Sequence, residues 1–206
     1  VLSTRDADRL DRGDLRGSAM TTLYRAALDD LARVFDRIDE AAVTRAVEEI
    51  ARAKRIALYG VGREGLQIKG FCMRLFHLGR QAAMVGDMTT PHLGPGDLLI
   101  VSAGPGHFST VEALMGVARR DGARTLVVTA QPDGACPKAA DVVLPVPAQT
   151  MADDMTAGQG AAPSVLPMGS LYEGAQYILF EVMILKLRDR LGVTPEAMRG
   201  NHTNLE

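Results

Sequence analysis

The 206-residue sequence has no tryptophan, few other aromatic residues, two cysteines and no basic run. The shortage of aromatics removes the usual platforms for stacking nucleobases. A net charge of −2 gives no reason to expect nucleic acid or an anionic membrane as a partner. Cys72 and Cys136 belong to no CxxC pair and make no disulfide framework, which fits buried, reduced thiols in a cytoplasmic protein. No stretch of 18 apolar residues is present, so no membrane span is expected. The four histidines, His77, His92, His107 and His202, lack the spacing of a zinc site, and neither a metal nor a cofactor is expected.

The length suits one domain, and 47% apolar with 23% charged residues suits a packed core. Residues 1–19 are rich in Arg and Asp and lack the apolar stretch of a signal peptide; they read as a disordered leader, with a single domain over 20–206. Two helical segments follow. Five short apolar runs come next: Arg55–Tyr59, Ala82–Val85, Leu98–Val101, Thr125–Val128 and Val142–Val146. Their continuous apolar character predicts strands buried on both faces, hence a doubly wound, five-stranded parallel α/β sheet flanked by helices. Gly65–Leu78 and Thr110–Arg120 read as amphipathic helices. Met151–Pro167, with Asp153 and Asp154, is long for a plain connection and reads as a lid or binding loop. Leu171–Leu191 reads as a helix apolar on nearly all sides, suited to a core or a subunit interface.

Two glycine-rich turns stand out, each after a strand and before a helix. The first is Gly60-Val61-Gly62-Arg63-Glu64-Gly65, and the second is Ser102-Ala103-Gly104-Pro105-Gly106-His107. Such turns let backbone amides approach a ligand, and the helix start favours anions. The first fits GxGxxG, but the acidic residue that a dinucleotide fold places at the end of its second strand is poorly matched by Asp87, which disfavours NAD.

Longer stretches carry a family resemblance: Met73-Arg74-Leu75-Phe76-His77-Leu78-Gly79, Val85-Gly86-Asp87-Met88-Thr89-Thr90-Pro91, Pro167-Met168-Gly169-Ser170-Leu171-Tyr172-Glu173 and His202-Thr203-Asn204-Leu205-Glu206. Together they resemble the SIS (sugar isomerase) domain, and within it the 6-phospho-3-hexuloisomerase family. The resemblance implies a metal-independent sugar isomerase working through an enediol(ate). It also implies a homo-oligomer, with a tetramer expected, in which the tail and final helices complete a neighbour's site. It assigns Glu173 as the catalytic base and His202 as a proton carrier or ring opener. Gly62, Arg63, Glu64, Ser102, Gly104, His107 and Ser109 become candidate substrate contacts.

The turns depart from the family pattern. Glu64 stands where the family has a phosphate-binding serine; Gly104 replaces a second serine, and His107 a threonine. A carboxylate about 5 Å from a phosphate costs about 3 kcal/mol per unit charge product at an effective dielectric near 20. Two readings of Glu64 remain open: a helix-start acid paired with Arg63 or Lys69, or an acceptor for sugar hydroxyls in a site rebuilt for a ligand without phosphate. Glu173 likewise reads either as the base or as the third residue of a capping box begun by Ser170. Arg63 reads as a ligand or gate residue, or as half of a surface ion pair, and His77 as a core or interface residue. Binding through Arg63, His107 and backbone amides keeps a sugar phosphate open. A non-catalytic SIS sensor of sugar derivatives, and a lyase using the same enolate chemistry, are the other classes.

Overall fold

The computed structural model describes residues 22–153 and 164–205. The expected leader, most of the Met151–Pro167 stretch including Asp154, and Glu206 lie outside the described residues. The elements in chain order are α1 (residues 22–35), α2 (Glu40–Arg52), β1 (Arg55–Gly60), α3 (Gly62–His77), β2 (Gln81–Met84), β3 (Leu98–Ser102), α4 (Ser109–Arg120), β4 (Arg124–Thr129), α5 (Ala135–Lys138), β5 (Val142–Pro145), α6 (Ser170–Leu191) and α7 (Pro195–Gly200). Asp39 caps α2, its carboxylate accepting the Ala41 N–H at 2.9 Å.

The five strands form one parallel sheet in the order β2-β1-β3-β4-β5. Side chains alternate between its two faces, as the pleat requires. Ile56, Leu58, Ile100, Leu126, Val128 and Leu144 pack against α2, α3 and α6. Ala57, Leu99, Val101 and Val127 pack on the other side against α4 and α5. This two-sided burial is the doubly wound plan predicted from the apolar runs.

The sheet order positions the turns. The chain leaves β1 toward β2 on one side, while β3 lies on the other, so the order reverses between β1 and β3. Ligands in open α/β sheets bind outside such a switch point. The register pairs Gly60 with Ser102, which sets the two glycine-rich turns side by side.

The first turn is tighter than the sequence suggests, and α3 begins at Gly62 rather than Gly65. Gly62 has φ +56°, in the left-handed region that glycine tolerates. A Cβ on Gly65 would stand 2.5 Å from the Gly60 carbonyl oxygen, so this glycine lets the helix lie directly on the strand end. Gly65→Ala is expected to lower stability by about 1–3 kcal/mol, the usual cost of overpacking. Thermal denaturation checks this, with a loss of roughly 3–10 °C expected for a chain of this size.

Candidate active site

The early start of α3 puts Arg63 and Glu64 in its first turn, and they point to different partners. The Arg63 guanidinium reaches across to the start of α6. It donates to Ser170 Oγ at 3.1 Å and to the Met168 carbonyl, and its Nε lies 3.1 Å from Glu173 Oε2. Glu64 turns inward and is 9% exposed. Its Oε2 accepts the Ser102 hydroxyl at 2.5 Å and the Gly104 N–H at 3.0 Å. Glu64 therefore pairs with neither Arg63 nor Lys69, which corrects the helix-start pairing considered from the sequence. Burial pushes its carboxyl above the usual carboxylate range, against the opposing bonds from Ser102 and Gly104.

A polar cluster missed from the sequence supports this carboxylate. Tyr172 and Gln176 stand one turn apart on α6, both fully buried. Gln176 Nε2 donates to Ser102 Oγ at 2.7 Å, and Tyr172 Oη lies 3.2 Å from the same oxygen. One sequence signal pointed to it: Gln176 is a polar residue within the largely apolar run of the last helix.

Glu173 is not a capping residue. The helix N-cap is Gly169, at φ +84°, and no side chain bonds the cap. Ser170 is already the first helical residue, so no capping box forms. The Glu173 carboxylate is left to face Arg63, with its side chain 14% exposed. Burial raises its pKa, Arg63 opposes this, and the Glu64 charge adds to the rise.

The remaining candidates spread out. His107 is exposed in the second turn, its Nε2 3.0 Å from the Glu112 carboxylate. Ser109 is the exposed first residue of α4. His202 lies elsewhere: its ring stacks on His77 with centroids 5.0 Å apart. His77, under the His202 ring, ends α3, and Arg63, against Glu173, lies in its first turn, so most of the length of that helix, about 20 Å, separates His202 from Glu173. His202 lines a separate cavity of about 520 Å³ with Arg74, His77, Met198, Arg199, Thr203 and Asn204. One copy of the chain thus brings Gly62, Arg63, Glu64, Ser102, Gly104 and Glu173 together and leaves His202 at the other end. Among the described residues no three His, Cys, Asp or Glu side chains gather as a metal site, and no helix is long and apolar enough to cross a membrane.

Known proteins resemble this chain in sequence and fold. The SIS domain profile matches residues 49–175, from the end of α2 through β1–β5 to the start of α6. The chain belongs to the SIS-domain family. Among SIS-domain relatives, the 3-hexulose-6-phosphate isomerase of Methylomonas aminofaciens is 33% identical over 188 residues, covering 91% of this chain and all of the relative. The Bacillus subtilis protein of the same name is 31% identical, covering 90% and 99%. A Methanococcus jannaschii crystal structure, from which a 3-hexulose-6-phosphate isomerase function was inferred, superposes with a TM-score of 0.73 at 26% identity, over 92% of this chain and 99% of that one. These relatives make the chain a member of the sugar-phosphate isomerase group of SIS-domain enzymes.

Proposed function

We propose that this SIS-domain protein isomerises a sugar or sugar derivative, aldose to ketose or ketose to ketose, through an enediol(ate), with Glu173 as the base. The observation that carries this reading is a carboxylate at a switch-point crevice, freed from helix capping and steadied by Arg63. Moving a proton between neighbouring carbons needs such a base beside a carbon α to a carbonyl. Burial makes Glu173 a stronger base than an ordinary carboxylate.

His202 serves as proton carrier for the sugar oxygens or opens a cyclic sugar, and it does so in the site of a second copy. Its distance from Glu173 within one chain favours that arrangement. So do the apolar side chains left on the surface of α6, Tyr177 at 61% exposed and Leu185 at 50%, together with Met73 and Phe76 on α3. A homo-oligomer, a tetramer by family likeness, would cover them. The chemistry calls for neither metal nor cofactor, and the protein is read as cytoplasmic.

In the preferred form of this reading the sugar brings no phosphate to the first turn, because Glu64 stands there. A sugar phosphate is the second reading, favoured by the names of the relatives. In that case Arg63, His107 and the turn amides would meet the phosphate. Proton NMR in D2O tests the isomerase reading with free and phosphorylated pentoses and hexoses, 3-hexulose 6-phosphate included. Enzyme-dependent loss of the proton α to the carbonyl, with appearance of the isomer, is the expected result for one of these sugars. Binding of a sugar without any exchange would favour a sensor instead.

A further inference from the structure

Backbone amides at a glycine turn beside a helix start make a seat for an anion. In this crevice the chain's own carboxylate takes the donors of that seat. Glu64 Oε2 receives the Gly104 N–H and the Ser102 O–H. Ser102 is held in place by Gln176 and Tyr172, so its hydroxyl is aimed rather than free to swing. Oε1 accepts from no protein group among the described residues and is left for a donor from elsewhere. Arg63, the neighbouring cation, is directed to Glu173 and forms no ion pair with Glu64.

Gly104 is the other half of the arrangement. Its φ lies outside the left-handed region, so the backbone would admit any residue. The space would not: a Cβ at 104 would stand 2.7 Å from Glu64 Oε1 and 2.9 Å from Tyr172 Cε1. Glycine at 104 is what lets Glu64 sit where it does.

We propose that Glu64 is a resident anion of the ligand crevice, admitted by Gly104, and that the pair selects a ligand offering a neutral hydroxyl to the first turn and rejects a phosphate there. An incoming phosphate would have to take Gly104 N–H and Ser102 O–H from Glu64 while facing its charge. A sugar hydroxyl can donate to Oε1 and leaves those bonds intact. The proposal rests on the isomerase reading only for the crevice being the ligand site.

Calorimetric titration of wild type, Glu64→Ser and Glu64→Gln with inorganic phosphate, fructose 6-phosphate and fructose tests it without any turnover. The expected result is at least a tenfold gain in affinity for the two phosphates in E64S. E64Q, which keeps the seat filled but removes the charge, is expected to gain less, and fructose binding should not gain in either. Equal phosphate affinity in wild type and folded E64S would overturn the proposal. A stability cycle tests the pairing separately. Gly104→Ala is expected to lower Tm more in wild type than in the E64S background; equal losses would show that the two positions are independent and would overturn the pairing. If E64S gains phosphate affinity while no sugar exchanges in D2O, the isomerase reading fails and this one stands.

Discussion

Glu173→Gln is expected to reduce turnover by about 10²–10⁴-fold, the usual contribution of a positioned general base, while ligand affinity changes little. The amide keeps the size of the side chain and can still accept a hydrogen bond from Arg63, but it cannot take a proton from carbon. Fold stability should also hold, because Glu173 makes no capping bond in α6 whose loss would fray the helix. The pH profile adds a second reading of the same residue. A base works only when ionised, so turnover falls as pH drops through its pKa. Burial and the Glu64 charge hold that pKa above the usual carboxylate range, so the acid limb is expected above it too. Removing the Glu64 charge with Glu64→Gln takes away one of the two raising causes, and the limb is expected to move to lower pH. Steady-state rates against pH for wild type, E173Q and E64Q provide the check. Unchanged turnover in E173Q would remove Glu173 from the mechanism, and an unmoved limb in E64Q would separate the two carboxylates.

The sheet was legible in the sequence because strands buried on both faces leave a signal that survives every local detail: short, continuous apolar runs spaced for crossover helices. The switch-point crevice followed from two glycine turns that the register then set side by side at Gly60 and Ser102. Directions of side chains were less legible. Glu64 lies in the first turn of a helix, where an acid ordinarily faces solvent and the dipole. Its inward course depends on the space left by Gly104, in the turn after the neighbouring strand β3, and on Ser102 being held by Gln176 from a helix more than 70 residues away. No local spacing encodes that. The capping box failed for a related reason. Ser-x-x-Glu fits the pattern, but the left-handed Gly169 moved the helix start forward by one residue, and the glutamate found Arg63 instead. His202 showed the opposite limit: its motif was readable, yet the fold sets it beside His77, at the end of α3 away from Glu173.

That separation leads to the other large effect. If the site joins Glu173 of one copy to His202 of another, two inactive variants must repair each other. Glu173→Gln and His202→Ala are each expected to be nearly inactive alone. Co-expressed in equal amounts and purified together through two different tags, a mixed pair holds one site with both defects and one with neither. For a two-fold symmetric pair, random mixing would leave about a quarter of all sites intact, and tag-selected mixed pairs would reach about half. Activity should therefore rise from near zero to that fraction of wild type. A site built within one chain predicts no recovery, since every copy would carry one lesion. The His77 stack offers a control on position. His77 lies under the His202 ring, so His77→Ala is expected to disturb the placing of His202, and it should complement E173Q as H202A does but fail to complement H202A. Recovery in the first mixture and not in the second would tie His77 and His202 to one half of a shared site and Glu173 to the other. An inactive E173Q/H202A mixture, with hetero-oligomers verified by the tags, would return both residues to separate roles.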